Sequence, residues 1–125
     1  QAASGAGQRA MDEMHAATRA VLAGEAPPKP DALAQSLAFN LFPHVDVFMD
    51  DGFTREEDKM LFEVRKILDM PALTVDATCV RVPVARCHSE SVAVKLEKNL
   101  TVTEAREVFG SSPGLTVLDD PENAR

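Results

Sequence analysis

The stretch Leu73-Thr-Val-Asp-Ala-Thr-Cys-Val-Arg-Val-Pro-Val-Ala-Arg86 decides the predicted fold, because apolar and polar residues alternate along it. Every second residue from Leu73 to Cys79 falls on one face of an extended chain, and this period of two predicts a β-strand. A second strand is predicted over residues 91–98, where two valines and a leucine share one face and Lys95 and Glu97 share the other.

Three helices are predicted around these strands. The first covers residues 10–22, where apolar side chains recur at spacings of three and four. The second opens at Thr54 and ends at Pro71, and the third opens at Thr101 and stops at Gly110. Both threonines stand three residues before a glutamate, which is the capping-box pattern of a helix N-terminus.

The remaining apolar segments complete the predicted fold. Residues 37–49 are mostly apolar and are expected to form buried extended chain, and residues 115–118 are expected to form a last short strand. Helices and strands in this order predict an α+β fold with a largely antiparallel sheet.

The composition excludes several classes of partner. The chain has 13 Lys and Arg against 20 Asp and Glu, a formal net charge of −7. We therefore expect no nucleic-acid partner, since binding to a phosphate backbone needs clustered positive charge. No apolar run reaches the roughly 18 residues that span a bilayer, and no signal peptide is visible, so we expect no membrane partner.

The two cysteines, Cys79 and Cys87, form neither a disulfide scaffold nor a CxxC metal pattern. We therefore expect both to be reduced core thiols of a cytoplasmic protein, and we expect no metal site. The chain starts at Gln1 rather than Met, and we expect it to be a piece of a longer polypeptide.

The first candidate site residues are Arg81 and His88, which stand in an otherwise apolar strand. The planar guanidinium of an arginine matches both oxygens of a carboxylate, and histidine can move protons near neutral pH. The alternative is an exposed edge strand with solvated charges. Residues seven apart face opposite sides of a regular strand, so the two converge only if the chain breaks, for example at Pro83. Cys87 cannot form a nucleophile–base pair with adjacent His88 on a regular strand.

A second candidate pair, Glu56 and Lys59, lies three residues apart near the start of the second helix. The electropositive first turn favours an anionic ligand beside Lys59. The alternative is an ordinary surface ion pair. A Gly-rich turn at Ser4 and Gly5 can bring backbone amides close to a ligand, and the other histidines, His15 and His44, are interpreted as structural.

The ensemble of these motifs resembles the aspartate-semialdehyde dehydrogenase family. Six blocks stand in the family's order: Gln1-Ala-Ala-Ser-Gly-Ala-Gly7, Phe42-Pro-His-Val-Asp46, Thr54-Arg-Glu-Glu-Asp-Lys59-Met60, Ala77-Thr-Cys-Val-Arg-Val-Pro-Val84, Cys87-His-Ser-Glu-Ser-Val92 and Asp119-Asp-Pro-Glu-Asn123. The resemblance covers nearly all of residues 1–125 and implies part of the catalytic and dimerisation domain. That domain is of the glyceraldehyde-3-phosphate-dehydrogenase-like C-terminal type, a largely antiparallel mixed sheet covered by helices.

The resemblance implies an activity for the parent protein. Enzymes of this family use NADPH to convert L-aspartyl 4-phosphate into L-aspartate 4-semialdehyde, NADP and phosphate. The step feeds the biosynthesis of lysine through diaminopimelate, and of methionine, threonine and isoleucine. The family also implies a homodimer or homotetramer.

The family's functional residues carry over onto matching positions. The resemblance implies acid/base catalysis by His88 and binding of the substrate carboxylate by Arg81. It implies ligand contacts for five more residues: Gln1 and Glu56 for substrate, Lys59 for phosphate, and Ser4 and Gly5 for the NADP cofactor.

Four parts of the family pattern have no match in residues 1–125: the Asn-Cys motif of the nucleophile, the N-terminal NADP-binding domain, a phosphate-binding arginine and the C-terminal segment that contacts the cofactor. We therefore expect the chain alone to be inactive. Three alternatives stay open: a relative of the N-acetyl-glutamyl-phosphate reductases, a non-catalytic dimerisation or interaction module that uses the apolar face of residues 73–96, and a stand-alone anion-binding domain.

Overall fold

The computed structural model describes residues 1–123 of the chain. Within them lie three α-helices and two short 3-10 turns. Their bounds are Gly7–Leu22 for α1, Arg55–Ile67 for α2 and Val102–Ser111 for α3, with the 3-10 turns at Ala3–Ala6 and Pro121–Asn123. The chain divides into two compact units, Gln1–Glu90 and Ser91–Arg125. In the part that the structure describes, no helix is both long and apolar enough to cross a membrane.

Helix α1 starts at Gly7, three residues before the predicted position. Its first residues are exposed and polar, so the apolar periodicity could not reveal them. The helix ends as the sequence predicts, because Gly24 adopts a left-handed φ of 75°. The N–H of Glu25 then donates to the carbonyl of Ala20 at 2.9 Å, which is the closing bond of a Schellman motif. The buried face of α1 consists of Ala10, Met11, Met14 and Ala17.

Both predicted capping boxes are present. At the start of α2, the N–H of Thr54 donates to Glu57 at 2.8 Å and the N–H of Glu57 donates to the Thr54 hydroxyl at 3.4 Å. Thr101 and Glu104 make the same pair of bonds at the start of α3. Helix α2 ends before the predicted stop at Pro71, because Asp69 already takes a left-handed φ of 52°.

The predicted strands are not confirmed in residues 1–123. Residues 1–123 contain only two isolated bridges, both antiparallel, which pair Phe42 with Arg81 and Phe48 with Thr54. Residues 73–79 do alternate between half-buried and exposed, as the sequence predicts. Alternation of apolar and polar residues predicts which face of an extended chain is buried. A β-ladder also requires a neighbouring segment within hydrogen-bonding distance, which the alternation does not specify. Residues 91–98 are exposed on both faces, and 115–118 form no strand either.

The segment from 37 to 49 is only partly buried extended chain. Leu37, Phe42 and Val45 are buried, but 66% of Phe39 is exposed. Phe39 and Asp46 have left-handed φ angles of 54° and 64°, which interrupt an extended backbone. The segment therefore turns twice, and only some of its apolar side chains reach the core.

The core of the first unit links α1 to this segment. It consists of buried Ala3, Met11, Met14, Leu37 and Phe42, with Leu33 and Ala85 packed against it. The same arrangement holds the backbone of Arg81, since Arg81 and Phe42 exchange hydrogen bonds at 2.8 and 3.2 Å.

On its other side, the segment around Arg81 lies beside the first residues of the chain. The N–H of Val82 donates to the carbonyl of Gln1 at 3.0 Å, and the N–H of Ala3 donates to the carbonyl of Val84 at 2.8 Å. The two segments run in the same direction. The predicted sheet was largely antiparallel, so this parallel contact was not anticipated.

Candidate functional site

Most of the predicted site residues line one cavity of the first unit. The cavity has a volume of about 520 Å³. It is lined by five of the seven predicted residues, namely Gln1, Gly5, Glu56, Lys59 and Arg81. Residues far apart in sequence meet here because the N-terminal segment, the start of α2 and the segment around Arg81 pack together.

Arg81 forms the buried wall of this cavity. Only 6% of the residue is exposed, and Nη1 donates to the carbonyl of Ala2 at 2.6 Å. The buried Nε has no hydrogen-bond partner in the structure. Burial lowers the pKa of Arg81 while the charge of Glu56 opposes this effect, and an arginine stays protonated in either case. Among residues 1–123, no carboxylate forms an ion pair with Arg81. A buried guanidinium in this state is suited to an anionic ligand.

Gly5 is adjacent to this guanidinium. A Cβ atom placed on Gly5 would lie 3.0 Å from Nη1 of Arg81 and 3.3 Å from Oε1 of Gln1. The missing side chain therefore leaves the space that the two polar groups occupy.

Four side chains form a connected polar row across the cavity. Nε2 of Gln1 donates to Oε1 of Glu56 at 2.7 Å, and Nζ of Lys59 lies 3.3 Å from Oε2 of the same carboxylate. Asp46 approaches Lys59 from the other side at 3.6 Å. The hydrogen bond and charge of Glu56, with the charge of Asp46, raise the pKa of Lys59, so that its ammonium is charged throughout the neutral range. With Arg81, and with Asp31 also in the lining, the cavity thus presents two cations and three carboxylates.

The two other predicted residues lie outside the lining. Ser4 is half-buried, and its N–H donates to the carbonyl of Ala85 at 3.0 Å. His88 is exposed and is not among the residues that line the cavity. The chain does break between Arg81 and His88, at a tight turn around Pro83 and at Cys87, whose φ is 72°. This break alone does not bring the imidazole into the cavity.

The sequence interpretation missed several residues of the lining, among them the titratable side chains of Asp31, His44 and Asp46. His44 was interpreted as structural, and its ring does pack on Phe48 with centroids 4.9 Å apart. Asp46 was not singled out, although it stands in the block from Phe42 to Asp46 that contributed to the family resemblance. Its role depends on contact with Lys59 across the fold, and no local spacing could show that contact.

The cysteines are free thiols in two different environments. Cys79 is half-buried, and burial, with the charges of Glu57 and Glu56, raises the pKa of its thiol. Cys87 is exposed, which corrects the expectation that both lie in the core. No group of three or more His, Cys, Asp or Glu side chains between residues 1 and 123 could hold a metal ion.

Comparison with known proteins shows which family model and which relatives the chain matches. Residues 1–125 match the family model described as semialdehyde dehydrogenase, dimerisation domain. The chain is 46% identical to the aspartate-semialdehyde dehydrogenase of Aquifex aeolicus over 98% of this chain and 36% of that protein. It is 42% identical to that of Bacillus subtilis over 97% of this chain and 37% of that protein. The chain thus spans a little more than a third of the length of these curated relatives.

Solved structures are similar as well. A crystal structure of aspartate semialdehyde dehydrogenase II from Vibrio cholerae complexed with ASA matches with a TM-score of 0.64 and 44% identity, over 68% of this chain and 25% of that chain. A probable aspartate-semialdehyde dehydrogenase from Pseudomonas aeruginosa matches with a TM-score of 0.73 over 90% of this chain and 34% of that chain. At 19% identity, the second match shows a shared fold only.

Proposed function

This chain belongs to the semialdehyde dehydrogenase dimerisation-domain family, and we propose that the protein containing it is an NADP-dependent aspartate-semialdehyde dehydrogenase of amino-acid biosynthesis. The proposed reaction is the reductive dephosphorylation of L-aspartyl 4-phosphate to L-aspartate 4-semialdehyde. The free thiols of Cys79 and Cys87 fit a reducing compartment, and we propose the cytoplasm.

The observation that carries this proposal is the charge pattern of the cavity. The buried guanidinium of Arg81 has no ion-pair partner among residues 1–123, and it faces the same space as Glu56 and Lys59. An amino-acid acyl phosphate offers a carboxylate, an ammonium and a phosphate. We assign the carboxylate to Arg81, the ammonium to Glu56 and the phosphate to Lys59, because each pair joins opposite charges.

The steps of the proposed reaction need groups beyond this chain. A thiolate outside residues 1–125 attacks the acyl carbon, the carbon–oxygen bond to phosphate breaks, and a thioester forms. NADPH, when bound, supplies the hydride that converts the thioester to the aldehyde and releases the thiolate. His88 accepts and returns the proton of the thiol, and Gln1 orients the acyl group.

Ser4 and Gly5 are the proposed contacts of the cofactor. Gly5 lines the cavity, so we propose that its backbone contacts the cofactor there, beside the space that Arg81 and Gln1 occupy. In this proposal, Ser4 and His88 contact the cofactor and the substrate once the remaining parts of the protein complete the site.

We also propose that the family's sheet forms in the assembled dimer or tetramer. The half-buried alternation of residues 73–79 supports a strand there. Val92, Val94 and Leu96 are 75%, 69% and 52% exposed, respectively, and a sheet neighbour or a second copy would cover them.

The experiment that tests the function is phosphate-dependent reduction of NADP with aspartate semialdehyde. The full-length protein, its His88→Ala variant and the 125-residue chain are compared, and NAD is supplied in a parallel assay. We expect an active parent that prefers NADP, a variant reduced by at least about a hundredfold and an inactive chain. An inactive parent, or a variant as fast as the parent, would refute the proposed function.

A further inference from the structure

The glutamate of the α2 capping box has a second hydrogen bond outside its own helix. Oε2 of Glu57 accepts from the N–H of Thr54 at 2.8 Å, as a capping box requires. Its other oxygen, Oε1, accepts from the backbone N–H of Cys79 at 2.9 Å. One carboxylate therefore joins the start of its own helix to a residue 22 positions later in the chain.

The second capping box of the chain lacks this contact. Oε2 of Glu104 accepts from the N–H of Thr101 at 2.8 Å and from its hydroxyl at 2.6 Å. Its bonds in the structure stay within the first turn of α3. The two glutamates thus share a sequence pattern but differ in their hydrogen-bond partners.

The bond to Cys79 joins two parts of the cavity. Helix α2 carries Glu56 and Lys59, and Cys79 precedes Arg81 by two residues in extended chain. In the part of the chain that the structure describes, this is the only hydrogen bond between α2 and residues 77–82. Gln1 connects the same two parts indirectly, because its backbone bonds to Val80 and Val82 and its side chain bonds to Glu56. Glu57 supplies the direct link between α2 and the segment that carries Arg81.

We propose that Glu57 is a positioning residue, which fixes Arg81 relative to Glu56 and Lys59 without touching the substrate itself. This inference rests on the proposed function. Its geometric basis is that both oxygens receive a backbone N–H, which only a carboxylate can satisfy, since an amide offers one acceptor and turns a donor toward the other N–H.

The electrostatics support this role. Partial burial disfavours the charge of Glu57, but the hydrogen bonds from Thr54 and Cys79 outweigh burial and lower the pKa of the carboxyl. The group is therefore ionised at neutral pH and accepts both bonds.

The test compares Glu57→Gln with the matched variant Glu104→Gln in the full-length protein. Both changes remove one negative charge from a capping box. An effect on the kinetic constants that comes only from weakened helix capping would therefore appear in both variants. We expect Glu57→Gln to raise the KM for aspartate semialdehyde about tenfold, with kcat changed less than about threefold. Glu104→Gln is expected to leave both constants unchanged. Equal KM values for the two variants would overturn the proposal.

A double-mutant cycle tests whether Glu57 acts through Arg81. Arg81→Lys alone and with Glu57→Gln should give losses in kcat/KM that do not multiply, whereas Arg81→Lys with Glu104→Gln should multiply. Multiplying losses for both pairs would show that Glu57 acts elsewhere. If Glu57→Gln does not fold, Glu57→Asp is used, because its shorter carboxylate keeps the charge and cannot span both donors.

A readout without turnover separates this inference from the proposed function. Amide hydrogen exchange of residues 79–81 is expected to speed up at least about tenfold in Glu57→Gln and to stay unchanged in Glu104→Gln. If the parent protein is inactive but exchange changes in this way, the proposed function fails and the link between α2 and Arg81 stands. Unchanged exchange in Glu57→Gln refutes the link itself.

Discussion

At the scale of single residues, Gly5 shows how little space the cavity leaves around Arg81. A Cβ at Gly5 would lie 3.0 Å from the guanidinium, whereas nothing lies within 4 Å of one at Gly110. Neither glycine has a left-handed φ, so alanine fits both backbones. We expect Gly5→Ala to lower kcat/KM about tenfold by displacing Arg81, with little loss of thermal stability.

Gly110→Ala is the matched control for this substitution. It adds the same methyl group in helix α3, where alanine is a better helix former than glycine. Steady-state kinetics and melting temperatures of both full-length variants measure the effects on activity and on stability. Equal kcat/KM values for Gly5→Ala and Gly110→Ala would mean that the methyl group added at Gly5 does not displace Arg81.

The residue types of the site could be predicted, but their arrangement could not. Arg81, Glu56 and Lys59 were identified from local chemistry, because a guanidinium within an apolar strand and a charged pair at a helix start are visible in sequence. The contact between Asp46 and Lys59 joins residues from different segments, and only tertiary packing creates it. The roles of all these residues remain predictions until the variants are measured.

At the scale of elements, the features predicted correctly are those that depend on neighbours in sequence. The capping boxes at Thr54 and Thr101 and the stop at Gly24 need only short runs of consecutive residues, and the structure contains all of them. Strand pairing needs a distant partner, which the alternation of residues 73–86 does not specify. The predicted ladder is therefore missing from residues 1–123, while the alternating burial of residues 73–79 is present.

The capping box of α2 makes stability depend on pH. The folded protein lowers the pKa of Glu57 below its ordinary value of 4.5. A carboxyl with a lowered pKa stabilises the fold above its unfolded pKa, and this contribution is lost as the pH falls through the folded value. We expect the stability advantage of the parent protein over Glu57→Gln to be full near pH 6 and to shrink toward about pH 3.

Urea unfolding of the full-length proteins at a series of pH values measures this difference. The contribution of Glu57 itself is isolated by subtracting the Glu57→Gln curve from that of the parent. A stability difference that stays constant down to about pH 3 would contradict the lowered pKa.

At the scale of the whole molecule, much apolar surface is uncovered. Side chains as large as Leu22, Ile67, Val92 and Leu118 are each at least 74% exposed. Large exposed apolar side chains are typical of surfaces that a partner covers. This exposure agrees with the family's description as a dimerisation domain and with a chain that spans about a third of its relatives.

We expect Val94→Glu to weaken assembly of the full-length protein, because it places a charge within the apolar face proposed to be covered. Lys95→Gln is the control, since it also changes the net charge by one unit toward negative but lies on the opposite face. Sedimentation velocity should show a smaller species for Val94→Glu alone. Identical sedimentation of the two variants would exclude this face as an interface.

The left-handed, exposed position of Cys87 has a practical consequence. Its thiol is open to solvent, whereas burial and two nearby carboxylates keep the Cys79 thiol protonated at neutral pH. Of these two thiols, a maleimide reagent should modify Cys87 first, as peptide mass mapping would show. The chain thus carries its own attachment point for a fluorophore directly beside His88, and such a label would report when that imidazole leaves bulk water.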